Sequence, residues 1–452
     1  MRIKLAYPMT LGEFASATKS TLNSPHSNEV IYYISTDSRE IFPGDLFVAL
    51  KGEKYDGEAF VTDIIKNGAF HISKSHLPYG IKTDDTREAL LKLAKYYKSK
   101  LRYLRHTIGI TGSVGKTTTK EFAKVILSQK YSVSATNENL NNTLGVPLTL
   151  LSAQKDTEIL LIEMGMNSMG EISKSSICIS PNISIILNVG NSHVGMLGSR
   201  EKIAKAKLEI LDGMENGTLL VPLSEPLLKK TNALFWDRFN TDADFYFGNS
   251  DKLDLFVGGA LYSRLNFRLK AWHLMDCLLA ACACGVLSGL EPDELKRGVF
   301  NISEENTRQK IVKVEDFYFL TDFYNSSPES ITAAFDSLFM LRPYIAKSVL
   351  LGDILELGEQ SEQLHREVGE RFAKYNFRNL YLLGKYSKNI FDGATSRGFP
   401  KNRIFINEDA ENHSLTVDQI KENHVYGEII LMKASRGLRL ERILNSFGES
   451  IK

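Results

Sequence analysis

Unbroken apolar runs alternate with stretches of helical period along most of the chain. EILLIEMG (158–165), ISIILNVG (183–190) and TLLVPL (218–223) read as buried strands, and EKIAKAKLEILDGM (201–214) between the last two places its apolar residues at helical spacing. Continuous apolar strands separated by helices predict a parallel sheet covered on both faces. Upstream, strand-like runs at 31–35 and 45–50, a helix-like AFVTDIIKNG (59–68) and a strand-like AFHIS (69–73) predict a small separate α/β unit over residues 1–84. The helical run REALLKLAKYYKSKL (87–101) then leads into a strand at 106–110. After a helical WHLMDCLLAACACGVLSG (272–289) and the polar NISEENTRQK (301–310), the pattern restarts. FYFLTDFY, SVLLGDIL, NLYLLG, RIFIN and EIILMKA alternate with helical runs such as ITAAFDSLFML and LHREVGERFAKY. Ser327, Pro328 and Glu329 supply an N-cap, a first-turn proline and a first-turn acid, so a helix is expected to begin there. The expected fold is α/β in three domains, 1–84, 85–309 and 310–452.

Composition narrows the function classes. With 55 Lys plus Arg against 54 Asp plus Glu, the net charge of +1 gives no field directed at nucleic acid or an anionic membrane. The opening MRIKLAYPMT has no signal-like apolar run and no segment is long enough to span a bilayer, so a cytoplasmic protein is expected. Cys178, Cys277, Cys282 and Cys284 lack CxxC spacing and three share one apolar helical run, which predicts reduced core residues.

The stretch GITGSVGKTTTKE (109–121) carries the most specific chemistry. It sits between a strand and a helical run, so Gly112, Ser113 and Gly115 fall in the connecting turn, where backbone N–H groups and a helix N-terminus can hold phosphate. Lys116 is placed to reach the terminal phosphates, and the Thr117 hydroxyl, followed by Thr118, to ligate Mg²⁺. Ile110 stands where the common form of this loop has its first glycine; Gly109 and Gly112 make the turn instead. The loop points to ATP or GTP.

Three later residues read as parts of the same site. Glu163 ends an apolar strand, at the sheet edge where α/β proteins bind ligands, and suits a second Mg²⁺. His193 follows another such strand. Lys207 lies on a helical stripe with Ile203, Ile210 and Leu211, whereas Lys202 and Lys205 point elsewhere. A buried ammonium is costly unless paired or neutral. Two answers are open: snorkelling to the rim, or reaction of the neutral amine with carbon dioxide to give an anionic carbamate.

The motifs TDSR (36–39), GDLFVALKGE, GITGSVGKTTTKE, TNENLNNTLGVPLTLL, EMGMNSMGEI, NVGNSHVGMLGS, AKAKLEI, DFYNSSPES, LGDILELGEQSEQLH and MKASR occur in this order over nearly the whole chain. Together they resemble the Mur ligases of peptidoglycan synthesis, and among them the branch that adds D-alanyl-D-alanine to a UDP-N-acetylmuramoyl-tripeptide. The resemblance implies an N-terminal UDP-sugar domain, a central ATPase domain and a C-terminal Rossmann-like domain. It implies amide formation through an acyl phosphate, with ATP and two Mg²⁺ ions, by a monomer. Matched by position, Lys116 is the phosphate-loop lysine, Thr117 binds the first Mg²⁺, Glu163 and His193 bind the second, and Lys207 is the carbamylated lysine. Arg308 and Asp322 match nucleotide-contacting residues. Ser38, Arg39, Asn139, Asn141 and Asn142 fall on the sugar nucleotide, and Asn325, Ser326, Lys433, Ser435 and Arg436 on the amine substrate.

The chain departs from that pattern in three places. In the segment 271–277, two positions that carry asparagine in the family hold Leu274 and Cys277. Asp56-Gly57-Glu58 replaces Asp-Gly-His, and Ala434 replaces a glycine. Loss of the two amides leaves Asp276 as a possible contact for the adenine amino group. A ligase for a different amino acid or dipeptide, and a non-catalytic nucleotide-binding relative, remain alternatives at this level.

Overall fold

A computed structural model describes residues 1–52, 55–137, 140–192, 194–229, 232–248, 253–269, 274–307, 309–323, 325–341 and 346–447. Among these residues there are three sheets, of six, nine and six strands. The mixed α/β class and its three sheet-bearing regions agree with the sequence pattern.

The first sheet runs, edge to edge, through Arg2–Thr10, Val30–Ser35, Leu46–Val48, Phe70–Ser73, Gly80–Lys82 and Thr21–Asn23. The inner pairings are parallel, and the two edge pairings antiparallel. Helix Thr86–Lys98 follows, capped by Asp85, whose carboxylate accepts from the Arg87 and Glu88 N–H groups. It packs on helices of both neighbouring regions, Leu11–Thr18 on one side and Gly145–Leu151 and Glu171–Ile179 on the other.

The nine-stranded sheet positions the site. Seven strands in the order Val133–Ala135, Ile159–Glu163, His106–Thr111, Ile183–Ile186, Thr218–Pro222, Leu234–Trp236 and Phe245–Phe247 are parallel. Leu253–Val257 and Ala260–Leu265 extend the sheet antiparallel. Strands Ile159–Glu163 and Ile183–Ile186 are buried throughout, which explains their unbroken apolar character. Their register pairs Ile110 with both Glu163 and Ile185, so the carboxyl ends of the three central strands are level. Helix Lys116–Leu127 leaves the middle strand and buries Thr119, Phe122, Ala123, Ile126 and Leu127, packing on helix Met275–Leu287.

The third sheet has the order Lys310–Val314, Phe317–Thr321, Ile429–Lys433, Lys347–Gly352, Leu380–Leu383, Ile404–Asn407, with one antiparallel edge strand. The helix expected after Ser327 is present as Pro328–Met340, with the Ser327 hydroxyl accepting from the Ser330 N–H. Among the described residues, this region touches the nine-stranded one through Glu329 and through Gly358. Glu329 bonds to Asn191, and the Gly195 N–H donates to the Glu356 carbonyl. Gly195 and Gly358 let the two backbones touch there, since a Cβ on Gly195 would lie 2.4 Å from the Gly358 nitrogen. All four cysteines are buried thiols. Among the described residues no helix is long and apolar enough to cross a membrane.

Candidate active site

The turn between His106–Thr111 and Lys116–Leu127 has the geometry its glycines permit. Gly115 is the N-cap of the helix with φ +84°, a left-handed conformation that favours glycine. Gly112 crosses so closely that a Cβ would lie 2.9 Å from the Leu187 Cβ. Asn188, just beyond the adjacent strand, pins the turn: its Oδ1 accepts from the Ser113 and Val114 N–H groups at 2.9 and 3.0 Å, and its Nδ2 donates to the Val114 carbonyl. The Ser113 hydroxyl accepts from the Gly190 N–H at 2.9 Å. Lys116 Nζ donates back to the Gly112 carbonyl at 2.7 Å, which places its ammonium over the loop. Thr118 is buried in the first turn. The first-turn N–H groups of a helix have no intrahelical acceptor, so this end is built to receive an anion.

Glu163 is fully buried at the level strand ends. The Thr117 hydroxyl donates to its Oε2 at 2.8 Å and the Asn141 amide to its Oε1 at 2.8 Å, while its own N–H is held by the Thr136 hydroxyl. The strand register thus brings together Thr117 and Glu163, the two residues expected from sequence to serve as separate Mg²⁺ ligands. Hard oxygen donors beside a phosphate-binding turn are the donor set that magnesium takes. Asn141, expected on the sugar nucleotide, directs its side chain to Glu163. Asn142 accepts from the Leu144 and Gly145 N–H groups and starts the helix that follows. His193, Arg308 and Asn139 lie outside the described residues.

Lys207 is on the buried stripe, 2 % exposed, with Ile203 and Ile210, whereas Lys202 and Lys205 are exposed. Its Nζ has no hydrogen bond or ion pair among the described residues. Burial, reinforced by the nearby Lys116 ammonium, holds its pKa well below the ordinary lysine value.

The C-terminal candidates form a second group. Lys433 Nζ donates to the Asn325 carbonyl at 2.7 Å and the Asp322 carbonyl at 3.1 Å, and lies 3.4 Å from the Asp322 carboxylate, which Gln309 also contacts. Ser326 is buried beside Asn325, whose Oδ1 accepts from the Ser326 N–H. Ser435 accepts from the Leu355 N–H, and the exposed Arg436 pairs with Glu441. In the N-terminal region the half-buried Ser38 and the exposed Arg39 lie on a short turn, with Arg39 paired to Asp37 at 2.7 Å. Glu58 accepts from the Lys74 N–H and the Ser75 hydroxyl. Ala434 is fully buried against Gly352. Asn188, Asn191 and Arg238 were not singled out by sequence; their partners lie 38 to 138 residues away and leave no local signal.

A phosphate-binding turn, an acid at level strand ends and a third domain touching the same edge define a multidomain nucleotide-using α/β enzyme. Comparison with known proteins makes the class definite. Family profiles described as the Mur ligase family catalytic domain, the Mur ligase middle domain and the Mur ligase glutamate ligase domain match residues 30–98, 110–257 and 307–436. The UDP-N-acetylmuramoyl-tripeptide–D-alanyl-D-alanine ligase of Bacillus subtilis is 34 % identical, over 98 % of this chain and 98 % of its own. The Escherichia coli protein of the same name is 29 % identical, over 92 % and 94 %. A MurF crystal structure from Acinetobacter baumannii superposes with a TM-score of 0.87 at 27 % identity, covering 99 % of this chain and all of that one. MurF from Thermotoga maritima, solved with ADP, gives 0.76 at 26 % identity, covering 92 % and 96 %. The chain belongs to the Mur ligase family.

Proposed function

We propose that the chain is an ATP-dependent amide ligase that joins D-alanyl-D-alanine to UDP-N-acetylmuramoyl-tripeptide, in the cytoplasm, as a step of peptidoglycan precursor synthesis. The observation that carries this reading is the end-to-end match to the Bacillus subtilis ligase. We assign the sugar nucleotide to residues 1–84, ATP to 85–309 and the incoming amine to 310–452, in a monomer.

On this reading the γ-phosphoryl group of ATP passes to the terminal carboxylate of the tripeptide and ADP leaves. The amine of the dipeptide attacks the acyl phosphate, and a tetrahedral intermediate collapses to amide and phosphate. Such transfers depend on positioning and on neutralising charge as it develops. The turn at 112–115 and the helix start at Lys116 hold the phosphates; Lys116 supplies a cation beside them. Thr117 and Glu163, with His193, are assigned as ligands of two Mg²⁺ ions, which when bound neutralise phosphate charge. Asn141 keeps the Glu163 carboxylate in place. Lys207, its amine uncharged over a wider pH range because its pKa is lowered, is in the form that adds carbon dioxide, losing a proton to become a carbamate. Asp322 and Arg308 are assigned to the nucleotide, and Ser38, Arg39, Asn139 and Asn142 to the sugar nucleotide. Asn325, Ser326, Lys433, Ser435 and Arg436 are assigned to the amine substrate.

The test is product formation. The protein incubated with ATP, Mg²⁺, the UDP-linked tripeptide and D-alanyl-D-alanine is expected to yield the UDP-linked pentapeptide by mass spectrometry, with one phosphate per amide. Absence of the pentapeptide while another amino acid is accepted would reassign the amine. Nucleotide binding with no amide under any pairing would leave a non-catalytic relative.

A further inference from the structure

Beside the phosphate-binding turn lies a cavity of about 340 Å³, within the size range of small-molecule sites, with Val114, Leu187, Trp236, Arg238, Asp276 and Cys277 in its lining. Val114 belongs to the turn itself, so a nucleotide whose phosphates sit on the turn has its base within reach of this cavity. The apolar liners offer a surface for a flat ring. The polar liners decide which ring.

Most of those polar groups are already committed. Asn188 is taken up by the Ser113 and Val114 backbone, Glu225 pairs with Arg200 at 3.0 Å, and the Asp237 carboxylate accepts from the Phe239 and Asn240 N–H groups. The Cys277 thiol, pushed up to about 11 by burial, stays protonated and is a poor hydrogen-bonding partner.

Among the lining side chains there remain the Ser224 hydroxyl, a single donor and acceptor, and an ion pair. Arg238 Nε donates to Asp276 Oδ1 at 3.0 Å and Nη2 lies 2.9 Å from Oδ2. This side-on pairing uses one edge of the guanidinium. It leaves the Nη1 donors, one further Nη2 donor and another lone pair on each carboxylate oxygen for a ligand. Both side chains are partly exposed, at 27 % and 49 %. Asp276 is therefore not a lone acceptor for an adenine amino group but half of a two-sign reader.

We infer that the Arg238–Asp276 pair reads the nucleobase in this chain and takes adenine and guanine alike, an inference that rests on the nucleotide-site reading above. Adenine presents an amino donor beside ring-nitrogen acceptors. Guanine presents O6 and N7 acceptors together with N1–H and amino donors. A pair that offers both donors and acceptors leaves neither purine with an unmatched polar edge, and unmatched polar edges are what give strong rejection. A pyrimidine has the polar edge but covers less of the apolar lining.

The experiment measures dissociation constants of ATP, GTP, CTP and inorganic tripolyphosphate for the full-length protein with Mg²⁺, in wild type, Arg238→Ala and Asp276→Ala. Tripolyphosphate reports the phosphate turn and the fold without touching the base cavity. In wild type, ATP and GTP are expected within about tenfold of each other and CTP at least about tenfold weaker. Each substitution is expected to weaken both purine nucleotides at least about tenfold while tripolyphosphate is unchanged. ATP favoured over GTP by more than about tenfold in wild type, or purine affinity unchanged in both variants, overturns the inference and leaves the ligase reading intact. Failure of every triphosphate and of tripolyphosphate to bind wild type overturns the nucleotide site and this inference with it.

Discussion

Glu329 accepts hydrogen bonds from both the backbone N–H and the side-chain amide of Asn191, at 2.8 and 2.9 Å, through one carboxylate oxygen. The contact joins the first turn of a C-terminal helix to the loop after strand Ile183–Ile186. The neighbouring Gly190 N–H is bonded to Ser113 in the phosphate-binding turn. A residue of the third domain thus holds the segment that holds the turn.

Glu329→Ala is expected to lower kcat at least about tenfold while changing the KM for ATP much less, because it loosens the arrangement of domains and not the phosphate contacts themselves. Glu329→Gln keeps a carbonyl acceptor and is expected to recover most of the loss. Steady-state kinetics on both variants, with thermal unfolding as a control for folding, make the comparison. An unchanged kcat in the alanine variant would separate this contact from catalysis.

Lys116→Ala is expected to reduce ligation at least about a hundredfold with circular dichroism unchanged, since it removes a cation beside the transferring group and no core contact. Activity within tenfold of wild type would take the turn out of the mechanism.

How far the site was legible depended on whether each signal was local. The strand–turn–helix around Gly112, Gly115 and Lys116 is a contiguous pattern, and a helix is observed directly after the turn, at Lys116–Leu127. Glu163 was legible because a fully apolar strand ends on it, and Lys207 because helical spacing put it among isoleucines. Asn188 and Glu329 act through partners 74 or more residues distant, and no period marks such a pair. Asn141 sits in a polar loop whose composition says nothing about which carboxylate its amide will reach. The last four strands at one end of the nine-stranded sheet, Leu234–Trp236, Phe245–Phe247, Leu253–Val257 and Ala260–Leu265, went unread. They are short, and Asp, Gly and Ser interrupt the intervening sequence; pairing with a sheet already formed stabilises them, not local propensity. The N-terminal strand Arg2–Thr10 was missed for a related reason: its register shifts between Lys4 and Met9, which breaks the period of two.

Lys207 provides a pH signature. Between its lowered folded pKa and the ordinary value of 10.5, the unfolded chain binds the extra proton, so this group makes stability rise with pH across that window. Below the window the whole penalty stands. In buffer free of carbon dioxide, Lys207→Met is therefore expected to be more stable than wild type at neutral pH, with the difference shrinking as pH approaches 10.5. Urea unfolding at a series of pH values reads it, and a difference that does not vary with pH would mean that Lys207 keeps its charge in the fold. The same position tests the carbamate: Lys207→Ala is expected to be nearly inactive and to regain activity partly when a short carboxylic acid is added at high concentration. Full turnover by a protein whose mass and crystal density show an unmodified ammonium would exclude it.

Amide formation through a phosphorylated carboxylate is tested most directly by oxygen transfer. The UDP-linked tripeptide carrying ¹⁸O in both oxygens of its terminal carboxylate is converted with ATP and D-alanyl-D-alanine, and the released phosphate is examined by mass spectrometry. One labelled oxygen is expected in each phosphate, the other remaining in the new amide, because the bridging oxygen leaves with phosphorus when the amine attacks carbon. Phosphate free of label, with amide still formed, would contradict the account.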